Sequence, residues 1–259
     1  MYRPGGFHPV NLGDTIDNGR FKLIRKLGNG SSSTVWLAVR QRYRPFEITQ
    51  RHNLGDPLDP PQYVAVKILD AGASTACDES AILEHLSSAA SKEPDYQHII
   101  RLLEHFEIQG PNGSHRCLVF EVMSTTAASL VEKLPQNHPI TRPKPHRYPV
   151  WMAKQILLHT LRGLALLHKN GIVHGGIQPT KLLLSTKNIH TFVPTQLGQD
   201  EAATALPLNR IDGKTDRWAP KKLYRGEPLY EFAELGQGLV VKICGFGTGK
   251  SPMPQPAVA

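Results

Sequence analysis

Apolar and polar positions alternate from Phe21 to Leu37 on either side of a glycine-rich stretch, LGNGSSSTVWL, the pattern of a strand, a tight loop and a second strand. A third strand, YVAVKIL, is predicted at Tyr63 to Leu69. Two more are predicted at Ile99 to Ile108 and Cys117 to Val122, joined by the turn residues GPNG. Between the third and fourth strands, Ala76 to Ala90 places Ile82, Leu83 and Leu86 on one helical face. Five strands and one helix make a compact small lobe, preceded by an extension over residues 1–20. After Met123 the character turns helical. Ile156, Leu157, Thr160, Leu161, Leu164 and Leu167 recur at helical spacing within Val150 to His168, which predicts the central helix of a second lobe over 124–247. Two stretches lack periodicity: Arg40 to Gln62, rich in Pro, Arg, Asp and Asn, reads as a surface insertion, and Ser185 to Gln237 as a spacer within the second lobe. The Pro-rich end, SPMPQPAVA, is expected to be a disordered tail within residues 248–259.

Composition narrows the class. A hydrophobic content of 40% over 259 residues suffices for a packed core. The formal charge of +8 is scattered along the chain and not gathered into a basic run, so nucleic acid is not the expected partner. Three cysteines, Cys77, Cys117 and Cys244, show no CxxC spacing and read as reduced, half-buried small residues. The twelve histidines form no HExxH or Cys/His ligand pair, so no metal site is expected. The start, MYRPGGFHPV, has no apolar signal core, and no run of about 18 apolar residues occurs. A cytoplasmic or nuclear protein without a membrane partner is expected.

The chemistry begins with LGNGSSSTV at Leu27 to Val35 followed by Val-Ala-Val-Lys at Val64 to Lys67. Gly-x-Gly alone is weak, since glycines often merely form a turn. A lysine inside an apolar strand is different, because a buried charge needs a partner, and Glu79 on the following helix is the candidate. Glycine loop, strand lysine and helix glutamate in that order resemble the ATP-gripping apparatus of protein kinases. Downstream, GIVHGGIQPTKLLL at Gly171 to Leu184 resembles a kinase catalytic loop, and VKICGFG at Val241 to Gly247 resembles the strand and metal-binding turn Asp-Phe-Gly.

Both loops depart from the pattern His-Arg-Asp-x-Lys-x-x-Asn and from Asp-Phe-Gly. His174 is kept, but Gly176 stands in place of the catalytic aspartate, Gln178 of the lysine, Lys181 of the asparagine and Gly245 of the metal-binding aspartate. Each replaced group has a defined task in phosphoryl transfer, and loss of a positioned general base alone costs about two to four orders of magnitude. No other His-x-Asp occurs to which the loop could be realigned. The resemblance therefore implies a pseudokinase: no catalytic residue intact, ATP binding possible, and magnesium not bound in the family manner. The ATP-binding residues it implies are Leu27, Gly28, Asn29, Gly30, Val35, Ala65, Lys67, Glu79, Glu121, Met123 and Leu183. His174, Phe246 and Leu83, with Leu102 or Leu103, match the apolar column that joins the lobes in kinases; ordinary core packing explains them equally well.

Within the kinases the chain resembles the SR-protein kinases. HPVNLGDTIDNGRFKLIRKLGNGSSSTVWLA is similar to their first strands, ACDESAIL to their helix, GPNGSHRCLVFEVM to their fourth and fifth strands, and the spacer sits where they carry one. The implied fold is α+β and protein-kinase-like, with a five-stranded small lobe plus a partial, mostly helical large lobe. The sequence given ends shortly after Gly247, ahead of the activation segment and the peptide-binding platform, so the family's Arg/Ser-rich substrates are not expected to dock. Three functions stay open: nucleotide binding or an interaction role without catalysis, a residual serine/threonine kinase, or a truncated product without function. A protein partner covering helix 150–168 is a further expectation, since its apolar stripe would otherwise be partly uncovered.

Overall fold

A computed structural model describes residues 2–41, 63–76, 78–134, 147–208 and 216–249. The insertion expected at 40–62 falls almost entirely, and the Pro-rich tail wholly, outside the described residues. The chain divides into two units, one formed by residues 1–75, 103–122 and 188–228, the other by 76–102, 123–187 and 229–259.

The first unit is an antiparallel sheet. Its strands are β1 (Thr15–Ile16), β2 (Phe21–Asn29), β3 (Ser33–Arg40), β4 (Tyr63–Leu69), β5 (Leu102–Gly110) and β6 (Gly113–Phe120), in spatial order β1-β2-β3-β4-β6-β5. This is one strand more than the pattern predicts, because two residues are too few to show alternation. One face carries the core, in which Phe21, Leu23, Trp36, Ala38, Val64, Val66, Ile68, Cys117 and Val119 are buried. Cys117 is fully buried, more than the half-burial expected of it, and burial pushes its thiol above the ordinary range.

The described parts of the segment 188–228, residues 188–208 and 216–228, read from sequence as spacer, pack on this sheet. Two short strands, β8 (Ala205–Pro207) and β9 (Lys222–Tyr224), pair antiparallel within it, and Tyr224 enters the core against Trp36 with ring centroids 5.9 Å apart. Two buried basic residues of β2 hold it. The Lys26 ammonium donates to the Tyr224 carbonyl at 3.0 Å, and Arg25 Nε donates to the Glu227 carbonyl at 2.7 Å. Backbone bonds complete the attachment: Gln199 N–H donates to Ile24 and Glu227 N–H to Lys26.

The second unit is mostly helical. The predicted helix over 76–90 is α2 (Glu79–Ala90), preceded by a short helix that the pattern does not predict, α1 (Ala71–Ala76), which lies mainly in the first unit. α3 (Ala127–Lys133) starts at Thr126, whose hydroxyl accepts from Ser129 N–H. α4 (Val150–Lys169) matches its predicted span to one residue. It lies over the ribbon formed by β7 (Leu182–Leu184) and β10 (Val241–Ile243), which pair antiparallel. The approach needs Gly163, since a Cβ there would stand 2.8 Å from Ile243 Cδ1 and 3.1 Å from the His98 carbonyl.

The apolar stripe expected along α4 divides. Ile156, Thr160 and Leu167 are buried and Leu164 is half-buried, whereas Leu157 and Leu161 are 62% and 63% exposed, beside exposed Val150, Trp151 and Leu158. The helix is apolar on two sides, and periodicity cannot say which side packs.

Candidate functional site

The nucleotide-binding candidates of the first unit lie on the sheet face opposite its core. Register puts Gly28 beside Val35, Val35 beside Lys67, and Leu37 beside Ala65. Because side chains alternate, Val35, Ala65 and Lys67 point away from the layer built by Trp36, Val64, Val66 and Ile68. The glycine loop is closed by Gly30 N–H donating to the Ser33 carbonyl at 2.8 Å. Leu27 and Gly28 are half-buried, and Asn29 and Gly30 are exposed. Glu121 follows β6 and is half-buried.

The remaining candidates belong to the second unit. Met123 is buried and precedes a stretch stitched to β7: Ser124 N–H donates to the Leu184 carbonyl, and Leu184 N–H to the Thr125 carbonyl, both at 2.9 Å. Leu183 is half-buried in the same ribbon. Glu79 opens α2, is 1% exposed, and its carboxylate accepts from Phe246 N–H at 3.3 Å.

The loop around His174 is tightly specified. Gly176 N–H donates to His174 Nδ1 at 3.2 Å, which leaves the proton on Nε2, and this donates to the Cys244 carbonyl at 3.0 Å. The imidazole also lies against Phe246, with ring centroids 5.0 Å apart, and both are buried. Burial holds the His174 pKa below its ordinary value and the Lys181 ammonium adds to this, against the raising effects of the Cys244 hydrogen bond and Glu79. Leu83 of α2 is buried in the same unit.

Gly176 and Gly245 offer no oxygen where a kinase has its catalytic and metal-binding carboxylates, and Gln178 is exposed. Gly175 has φ +73°, and a Cβ there would lie 2.6 Å from the Thr248 carbonyl oxygen, so this backbone holds no side chain at the place of the loop arginine. Thr248 was not a candidate from sequence: its hydroxyl donates to the His174 carbonyl at 3.3 Å, a contact no local pattern announces. The residues present do not fit a divalent metal, since an ammonium and a bare Cα replace two oxygen ligands. Among the described residues no group of three or more His, Cys, Asp or Glu could hold a metal ion.

The sequence profile of the protein kinase domain matches residues 58–193, just over half of the chain. This chain belongs to the protein kinase domain family. A solved kinase domain shares the fold at TM-score 0.51, with 17% sequence identity over 95% of this chain and 55% of that one. Curated relatives include the serine/threonine-protein kinase SKY1 of Saccharomyces cerevisiae, 33% identical over 74% of this chain and 23% of its own length. The protein kinase dsk1 of Schizosaccharomyces pombe is 33% identical over 71% of this chain and 30% of its own. SRSF protein kinase 3 of Homo sapiens is 33% identical over 71% of this chain and 28% of its own. The chain thus spans less than a third of the length of these relatives. The SR-protein-kinase resemblance and the α+β kinase fold hold. Among the described residues, no helix is long and apolar enough to cross a membrane.

Proposed function

We propose that this chain is a pseudokinase of the SR-protein-kinase type, binding ATP through the glycine loop, Lys67 and the sheet face of Val35 and Ala65, without phosphotransfer. The observation that carries this reading is glycine at 176 and 245. Phosphoryl transfer in kinases needs a base for the substrate hydroxyl and oxygen ligands for magnesium, and neither position has a side chain to supply one. Lys67 keeps the strand setting of the phosphate-pairing lysine, flanked by buried Val66 and Ile68.

Thermal unfolding with ATP in EDTA tests the binding, and transfer of labelled phosphate to an Arg/Ser-rich peptide tests the lost catalysis. A melting shift that Lys67→Met abolishes, with no transfer, is the expected result. Transfer at a measurable rate sinks the pseudokinase assignment and favours the second reading, a serine/threonine kinase for Arg/Ser-rich proteins, of which the relatives' names support the kinase activity. The exposed apolar side of α4, from Val150 to Leu161, supports an interaction role in which a protein partner covers this helix. The cytoplasm or nucleus is the compartment this reading requires.

A further inference from the structure

Glycine at 245 and lysine at 181 read from sequence as two separate losses, but they are neighbours. A Cβ built on Gly245 would meet Lys181 Cδ at 2.7 Å, Nζ at 2.9 Å and Cε at 3.1 Å. The lysine side chain therefore runs across the bare Cα of Gly245, and its ammonium stands in the volume that a carboxylate at 245 would fill.

The backbone fixes this placement. Cys244 N–H donates to the Lys181 carbonyl at 2.9 Å, and Lys181 N–H donates to the Gln178 carbonyl at 2.8 Å. The next residue, Leu182, is in register with Ile243 at the end of the β7–β10 ribbon. The two Cα atoms are therefore tied through adjacent hydrogen-bonded strands and cannot separate without unzipping them. Gly245 itself sits at φ +79°, a left-handed conformation that glycine adopts without penalty.

In kinases the two corresponding positions carry oxygen ligands and the charge between them is a magnesium ion. Here the place of one of those ligands holds a positive charge that belongs to the chain. A divalent cation a few ångströms from a fixed ammonium is repelled, and no oxygen from either residue offsets that repulsion.

We infer that Lys181 is the resident cation of this site: its ammonium fills the place of the metal-binding carboxylate and excludes a divalent metal. Gly245 is the partner of that lysine, and the two changes act as one. This inference does not depend on nucleotide binding.

Manganese binding to the nucleotide-free protein, followed by electron paramagnetic resonance, tests the exclusion directly. Wild type and Gly245→Asp, in which the new carboxylate pairs with Lys181, are expected to bind weakly. The double variant Lys181→Asn, Gly245→Asp is expected to bind at least tenfold tighter than Gly245→Asp alone. A smaller difference, including no binding by either, overturns the exclusion. Circular dichroism identifies any variant that has not folded, and Gly245→Asn, tested with and without Lys181→Asn under the same criterion, replaces it.

Discussion

Two imidazoles of the second unit grip the backbone of one residue, and this arrangement predicts how the unit responds to acid. His98 and His159 stack with ring centroids 4.2 Å apart, and both are buried. His98 Nδ1–H donates to the Val241 carbonyl at 3.2 Å, while Val241 N–H donates to His159 Nδ1 at 3.1 Å. The second bond requires an unprotonated Nδ1. Among the described residues His98 Nε2 has no hydrogen-bond partner, so a proton there would be buried without an acceptor. Burial lowers the His159 pKa from 6.5 to about 4, with His98 and Arg162 adding to the shift. His98 is also lowered, by burial first and by Arg162 and Lys242, against the raising effects of the Val241 bond and Asp95. The sign follows. Between pH 4 and pH 6.5 the unfolded chain binds more protons than the folded one, so stability is full above the unfolded pKa and falls as pH drops. Each such proton contributes a slope of up to about 1.4 kcal/mol per pH unit. Urea unfolding of wild type and His159→Asn at pH 7.5, 6.0 and 5.0 checks this, because asparagine can still accept from Val241 N–H but does not titrate. The variant is expected to start less stable by about 1–2 kcal/mol, through lost packing, and to lose less on acidification by roughly one proton's slope. Parallel pH dependences for the two proteins would refute the argument and move the acid sensitivity elsewhere, for instance to half-buried His8 and buried His115, which pack edge to face in the first unit.

Other outcomes follow from packing. Gly175→Arg, which restores the arginine of the family loop, should destabilise the protein by about 1–3 kcal/mol in chemical denaturation, because the position is left-handed and faces the Thr248 carbonyl. Trp36→Ala should cost about 3–5 kcal/mol, since the indole is 1% exposed and packs with Tyr224 in the sheet core. Lys26→Met should loosen the 188–228 segment, read as faster proteolysis there, because the buried ammonium holds the Tyr224 carbonyl. Leu157→Glu with Leu161→Glu should leave stability within about 0.5 kcal/mol and reduce binding of a hydrophobic dye, both side chains being mostly exposed.

The strands were readable because each exposes one face to a core, so period-two alternation survives in Phe21 to Leu37, and the apolar run Val-Ala-Val-Lys was enough to place its lysine on a strand, now β4. The segment 188–228 was not readable for the opposite reason. What attaches it are polar groups, Arg25 and Lys26 donating to carbonyls far along the chain, and such bonds leave no periodic trace. Helix α4 was found by its period, and its stripe is partly uncovered as expected, at Leu157 and Leu161; which positions pack was not legible, because both sides are apolar.

The altered loops show the same limit at finer scale. Sequence spacing identifies which kinase positions became glycine, but it cannot say what fills the space each lost side chain leaves. Thr248 stands against Gly175 with its carbonyl and against Gly176 with its hydroxyl, 3.1 Å from where a Cβ would be, while Lys181 covers Gly245. His174 is held between Gly176 N–H and the Cys244 carbonyl. Each emptied position has thus acquired a specific neighbour, and that neighbour is polar or charged. An ammonium covers Gly245 and a hydroxyl covers Gly176, so these loops stay polar at the positions that lack a side chain.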